Sequence, residues 1–352
     1  MNMHHAEHLI VGMPAGSLAD PSRGGNLVRL LADAGFKATG YDQGGPTRFA
    51  SHQFLFGWDG RPQEFGAQMA LQELDVAIAG DDWIKERLLE LQIEYQQTVE
   101  LKKILSLNRG AVKIVAICKK NPAFADIHAI LRSLAASTPL VTVVSEMPYL
   151  ALEWIKGLLQ KNGLADAYKN FSVQKYKTPP KIQQGILIYE TWGKTEAKVK
   201  NDGAHFGIEI TQTGSAIRNY DLQVVDQIMA SETGIWINPA IKGHAVKTDL
   251  LKMFLLNLYG SINAENKVLV VFNVSKEYRS DIENYLSKNN LYADEPTINM
   301  GQNFVEYSIQ IDTHDQTTPL AQVRYQLAKL KAMNIDTIPI NSSIPSIDII
   351  KF

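Results

Sequence analysis

Glu209-Ile-Thr-Gln-Thr-Gly-Ser-Ala-Ile-Arg-Asn219 is the stretch on which the reading of this chain turns. An apolar approach, His205-Phe-Gly-Ile208, leads into it, and Leu222, Val225, Ile228 and Met229 follow at helical spacing. That order predicts a strand, a tight loop and a helix. Small residues and hydroxyls fill Thr213 to Ile217, where the helix would begin. Free backbone N–H groups at such a point, joined by hydroxyl donors, suit a phosphate dianion. Glu209 lies four residues ahead, where a carboxylate accepts hydrogen bonds from sugar hydroxyls beside that phosphate. An ordinary strand–turn–helix with Thr213 as N-cap reads the same way.

Outward from this stretch, strands alternate with helices. His8 to Gly12, Asp75 to Ala79, Val112 to Cys118, Leu140 to Ser145 and Gly185 to Glu190 read as strands. Asn26 to Ala34, Arg61 to Leu71, Ile127 to Ala135 and Tyr149 to Gln160 read as helices. Leu88 to Ile104 is mixed and charged, a helix or a long connection. The alternation predicts an α/β fold with a mainly parallel sheet and ligands beyond its carboxyl ends. After a composition break at Gly260 to Asn266, a βαβαβ pattern of roughly ninety residues has the size of a small separate domain.

The 352 residues are enough for two or three domains. Charge is close to balanced, 35 Lys and Arg against 37 Asp and Glu, which speaks against an electrostatic nucleic-acid binder. The single cysteine, Cys118, excludes an intrachain disulfide and fits a reducing compartment. No apolar run reaches the roughly 20 residues of a membrane span. The N-terminus shows no basic region followed by an apolar one. The expectation is a cytoplasmic protein with neither nucleic-acid nor membrane partners.

Several segments, in one order, resemble the long form of ATP phosphoribosyltransferase, the first enzyme of histidine biosynthesis. Pro14-Ala-Gly-Ser-Leu18 resembles the family's opening Pro-Lys-Gly-Arg-Leu turn, and Arg61-Pro-Gln-Glu-Phe-Gly66 its Arg-x-x-Asp-Ile-Pro segment. Asp75-Val-Ala-Ile-Ala-Gly-Asp-Asp82 looks like Asp-Leu-Gly-Ile-Thr-Gly-x-Asp. Val144-Ser-Glu-Met-Pro-Tyr-Leu150 and Gly193-Lys-Thr-Glu196 resemble the second-lobe segment and the Gly-Ser-Val-Glu turn. Glu209 to Ile217 resembles the phosphoribosyl fingerprint Asp-Leu-Val-x-Thr-Gly-x-Thr-Leu. Pro296-Thr-Ile298 is similar to part of the C-terminal module. The chain departs at Ala15 and Ser17, where the family has Lys and Arg, at His205 for an acidic residue, at Glu209 for Asp and at Ala216 for Thr.

The resemblance implies a two-lobed, periplasmic-binding-protein-like catalytic core with a C-terminal ferredoxin-like, ACT-like βαβαβ regulatory domain. Its lobes would be 1–104 with 189–263, then 105–188, with 264–352 as the regulatory domain. It implies transfer of phosphoribosyl from 5-phosphoribosyl-1-pyrophosphate (PRPP) to N1 of ATP or a related nucleobase-like acceptor, with Mg²⁺. Glu209 would hold the ribose, and Thr211, Thr213, Gly214, Ser215, Ala216 and Ile217 the 5′-phosphate. Arg61 would serve catalysis by binding a phosphate or pyrophosphate. Gly16, Ser17, Asp82 and Glu196 would face nucleotide or pyrophosphate. A small effector at the C-terminal domain and a dimeric or hexameric homo-oligomer complete the expectation. Two other classes stay open: a catalytically weakened member that binds ligand and regulates, and a two-lobed solute-binding protein. The missing signal and the Thr213 to Ile217 loop count against the last.

Overall fold

The computed structural model describes residues 8–15, 26–43, 45–49, 55–120, 126–291 and 297–351. Gly16, Ser17 and Pro296 lie outside them. Two compact units emerge: one takes in 37–251 with the strand that precedes them, the other 29–36 and 252–351.

The first unit holds a nine-stranded sheet. In chain order its strands are β1 (Leu9–Pro14), β4 (Leu55–Gly60), β5 (Val76–Gly80), β6 (Lys102–Lys119), β7 (Leu140–Ser145), β8 (Phe171–Lys175), β9 (Gly185–Glu190), β10 (Phe206–Thr211) and β11 (Leu222–Ile237). A separate two-residue pair, β2 (Ala38–Thr39) and β3 (Arg48–Phe49), stands before β4. The helices are α2 (Pro62–Ala70), α3 (Asp81–Tyr95), α4 (Ile127–Ser137), α5 (Pro148–Lys161), α6 (Thr195–Lys200) and α7 (Ser215–Asn219), while α1 (Leu27–Asp33) and α8 (Ala245–Ala264) fall mostly in the second unit. The sheet order is β4-β1-β5-β11-β6-β10-β7-β9-β8.

Both outer sets of strands are parallel, as the alternation predicts, but the centre is not. β6 and β11 pair antiparallel from Leu222↔Lys119 to Ile237↔Lys102. β5 runs against β11, and β10 runs against β6. The β1, β4 and β5 set therefore points toward the β7, β9 and β10 set. Their carboxyl ends meet over the central ribbon, which is where an open α/β sheet takes its ligand.

The helix expected over Leu222 to Met229 is strand β11, and α7 before it is only five residues long. The cause is in the pairing. Register shifts fall between Val224 and Asp226 and between Gln227 and Met229. Each bulge adds a residue, so the side chains facing the core recur at about three rather than two. Val225, Ile228 and Met229 pack on the core that way. Leu88 to Ile104 likewise divides into the end of α3 and the start of β6.

In the second unit, β12 (Lys267–Ser275), α9 (Arg279–Lys288), β13 (Thr297–Met300), β14 (Phe304–Asp312), α10 (Leu320–Lys329) and β15 (Met333–Pro339) follow one another. The pattern is βαββαβ, one strand more than expected. Thr297 to Met300 is too short to read as a strand beside the turn residues around it. The sheet order β13-β14-β12-β15, with every adjacent pair antiparallel, is ferredoxin-like. Alternate residues Val270, Phe272 and Val274 of β12 and Val305, Tyr307 and Ile309 of β14 pack on Ile282, Leu286, Val323 and Leu327. Among the described residues, this core draws on none before Val268. Residues 266–352 expressed alone are therefore expected to unfold cooperatively on heating, followed by circular dichroism. A fragment without a thermal transition would mean that the module depends on the rest of the chain.

Candidate active site

β10 carries Glu209 and Thr211 on one face, because alternate strand residues share a face. Gly207 lies on that face too. A Cβ there would sit 2.8 Å from both Thr195 Cγ2 and Val199 Cγ2 and 3.1 Å from Ile117 Cγ1. The glycine thus lets α6 lie directly on β10. The Thr195 hydroxyl consequently hydrogen-bonds the Glu209 carboxyl. Glu196, next along α6, is buried.

Parallel pairing brings Ile208 beside Ser145 of β7, so Glu146 arrives at the same end as Glu209. Glu146 accepts a hydrogen bond from the Gly193 N–H in the turn before α6. Three carboxyls, Glu146, Glu196 and Glu209, thus come from three different segments, the ends of β7 and β10 and the start of α6. Burial pushes the Glu209 carboxyl up to about 7, and the charges of Glu196 and Glu146 add to it against the Thr195 and Ile210 hydrogen bonds. Burial raises Glu146 as well, with Glu196 adding and the Gly193 N–H and Lys198 opposing.

Beyond Thr211 the loop is held by its own hydrogen bonds. Gly214 N–H donates to Thr211 Oγ1 at 2.8 Å, and Gly214 has φ +70°. The Thr213 and Ser215 hydroxyls are 2.8 Å apart. Arg218 donates from Nη1 to the Thr213 carbonyl at 2.7 Å and from Nη2 to Ser215 Oγ at 3.2 Å. The first helical bond here is Arg218 N–H to the Gly214 carbonyl. The N–H groups of Ser215, Ala216 and Ile217 therefore have no acceptor within the helix. Thr213, Ser215 and Ala216 are exposed, and Ile217 is anchored in the core.

Across the ribbon are the ends of β1, β4 and β5. Ala15 N–H donates to the Gly60 carbonyl at 2.8 Å, so exposed Arg61 starts α2 beside Ala15. Asp82 is buried; its Oδ1 accepts from Ser231 Oγ at 2.9 Å, and its N–H donates to the same oxygen at 3.1 Å. Burial raises its carboxyl, and the Ser231 hydrogen bond opposes that. Neighbouring Asp81 accepts from Lys103 Nζ at Oδ2, 3.1 Å away, and the same ammonium reaches Glu232 Oε1 at 3.0 Å.

A pocket of about 570 Å³ lies where the two sets of strand ends meet. Asp81, Val112, Lys113, Thr211, Gln212, Ser231 and Glu232 are among its walls. Glu209, Glu196 and the Thr211 to Ile217 loop form one neighbourhood on the second-lobe side. Arg61 belongs to the opposite strand ends, and Asp82 is held inside that wall.

Those joined ends carry Arg61, Asp75 to Asp82 and Glu209 to Ile217, segments on which the resemblance rests. The sequence profile of the ATP phosphoribosyltransferase family (HisG) matches residues 61–259, more than half of the chain. The chain belongs to the ATP phosphoribosyltransferase family. It is accordingly a pentosyltransferase of the histidine-biosynthesis type. The ATP phosphoribosyltransferase of Chlorobium phaeobacteroides is 26% identical over 274 residues, covering 76% of each chain. That of Pelodictyon phaeoclathratiforme is 26% identical over 279 residues, again 76% of each. Among solved structures, the ATP phosphoribosyl transferase (HisG:HisZ) complex from Thermotoga maritima is similar, with TM-score 0.48 and 14% identity over 71% of this chain and 98% of that one.

Glu146, Thr195, Arg218 and Lys113 were not singled out as site residues from the sequence. Only Arg218 gave a local signal, four residues past Gly214 and therefore one helical turn on. The others depend on strand register. No helix among the described residues is long and apolar enough to cross a membrane.

Proposed function

We propose that the chain transfers the phosphoribosyl group of PRPP to N1 of ATP and releases pyrophosphate. N1 forms the new bond to C1 of the sugar as the C1–O bond to the diphosphate breaks. The observation that carries this is the pairing, on one strand end, of a partly buried carboxyl at Glu209 with a preorganised anion loop from Thr211 to Ile217. In this reading the loop N–H groups and hydroxyls take the 5′-phosphate, and Glu209 holds the ribose hydroxyls. Arg61 takes a phosphate or pyrophosphate, and Asp82 and Glu196 support the nucleotide side together with Gly16 and Ser17. Holding both substrates in line removes much of the entropic barrier, and fixed dipoles stabilise the charge that develops.

Among the described residues no three His, Cys, Asp or Glu side chains are spaced to hold a metal ion. A Mg²⁺ would therefore arrive on the substrate phosphates, which is how this ion is commonly held, and not on a preformed set of protein ligands. When bound it supplies charge neutralisation at the leaving diphosphate. A small effector at the ferredoxin-like unit, a homo-oligomer and a cytoplasmic location belong to the same proposal.

The test is formation of phosphoribosyl-ATP from PRPP, ATP and Mg²⁺, followed by ultraviolet absorbance. Glu209→Gln keeps the size of the side chain and removes its charge. It is expected to lower kcat/KM by roughly a hundredfold, the scale on which removal of a charge-stabilising group acts. No product from wild type at millimolar substrates would overturn the reading. Ala15, at a strand end where the resemblance calls for a cation, favours a second reading with another nucleobase-like acceptor. Pyrophosphate release from PRPP with such a base, but not with ATP, would establish that one.

A further inference from the structure

We infer that Lys113 clamps an oligophosphate chain in the central pocket, an assignment that rests on the phosphoribosyl-transfer reading. Lys113 is on β6, directly paired with Thr211 of β10 and with Ala230 of β11. It is exposed and lines the pocket with Thr211, Gln212 and Ser231. Opposite it are Asp81 and Glu232, but both are joined to Lys103, which is partly buried between them. Arg218 is likewise committed, to the Thr213 carbonyl and Ser215 hydroxyl. The Lys113 ammonium has neither hydrogen bond nor ion pair with another described residue. Among the described residues that line the pocket, Lys113 is thus the uncommitted cation, paired in register with Thr211, the last residue of the strand that leads into the anion loop.

A flexible ammonium with three donors suits the changing charge of a phosphate chain, and the other described walls of this pocket offer two carboxyls, two hydroxyls, an amide and apolar groups. The carboxyls exclude a free anion unless a cation answers it. Two substrates carry the required chemistry: the diphosphate of PRPP and the triphosphate of ATP. Because Lys113 is solvent-exposed and has no partner among the described residues, its replacement is expected to leave folding untouched. It makes contact with substrate only, which separates it from Lys103, whose loss would also release Asp81 and Glu232.

The experiment is isothermal titration of full-length wild type, Lys113→Met and Lys113→Arg with PRPP, inorganic pyrophosphate, ribose 5-phosphate and ATP, each with Mg²⁺. Loss of one charge-assisted hydrogen bond weakens binding by roughly ten- to a hundredfold. If the PRPP diphosphate is the partner, Lys113→Met loses that factor for PRPP and pyrophosphate and keeps wild-type affinity for ribose 5-phosphate and ATP. If ATP is the partner, only its titration weakens. Lys113→Arg retains most of the affinity in either case, and the wild-type dependence on salt flattens in Lys113→Met alone. Wild type that binds PRPP and ATP while Lys113→Met binds both equally well overturns the assignment and leaves the transfer reading standing. Wild type that binds neither removes both.

Discussion

Gly214→Val is expected to abolish PRPP binding, by at least about a hundredfold, in a protein that still folds. Gly214 sits at φ +70°, a region that costs an ordinary residue about 1–2 kcal/mol and a β-branched one more. A Cβ at this point would also lie 3.2 Å from Arg218 Nη1, the group that braces the Thr213 carbonyl. Relief requires the loop to leave its left-handed turn. That breaks the Gly214 N–H to Thr211 Oγ1 bond and swings the free N–H groups of Ser215 to Ile217 away from a common point. Losing two or three phosphate hydrogen bonds of roughly 1.5 kcal/mol each suffices for the hundredfold loss. The loop is exposed at Thr213, Ser215 and Ala216, so the core under it stays filled. Isothermal titration with PRPP, beside a thermal melt, checks both halves. Wild-type affinity would mean that the 5′-phosphate binds elsewhere. Gly214→Ala, which meets the same φ without β-branching, should fall between the two.

Much of this arrangement is legible in the sequence because it is local. The anion loop needs Thr211, Gly214 and Ser215 within five residues, and the sequence displays them together. The parallel outer strands announce themselves as short apolar runs between helices. The C-terminal unit shows its period-two strands, Val270-x-Phe272-x-Val274 and Val305-x-Tyr307-x-Ile309, without help from pairing. β11 hides for the opposite reason. Its bulges against β6 arise from two long strands that twist together, and they shift its apolar spacing toward that of a helix. The carboxyl group at Glu146 and the hydroxyl at Thr195 reach Glu209 only through strand pairings and a helix seated over Gly207. Nothing within a short window of sequence encodes that meeting. Asp82 shows the same limit from the other side. The motif that carries it is recognisable, yet only the fold reveals that Ser231, 149 residues on, occupies its carboxyl.

Glu86 is the other position where one side chain is expected to matter greatly, this time for stability. It lies on α3, which follows β5, and is 4% exposed. Its two carboxyl oxygens accept from the N–H groups of Tyr149 at 2.9 Å and Leu150 at 2.7 Å, at the start of α5, which follows β7. One carboxyl therefore caps a helix of the second parallel set from a helix of the first. Glu86→Ala leaves both N–H groups buried and unmet, and it is expected to cost about 2–4 kcal/mol near pH 4.5, where the wild-type contribution is whole, and less as pH rises. The titration of wild type carries the sharper signature. Burial pushes the Glu86 carboxyl up to about 7 from 4.5, against the two N–H bonds and the Arg87 charge, while Glu90 adds to the rise. A carboxyl raised on folding holds its proton more tightly in the native state. Its contribution is therefore whole below pH 4.5 and is lost as pH rises toward 7, by up to about 3 kcal/mol. Glu86→Gln cannot ionise and keeps one oxygen as acceptor. Its stability should stay flat across that interval, falling below wild type near pH 5 and meeting or exceeding it near pH 8. Urea titrations at closely spaced pH values measure the difference directly. Parallel curves for wild type and Glu86→Gln from pH 4.5 to 8 would show that Glu86 stays ionised in the fold, with α5 capped by a charged carboxylate throughout.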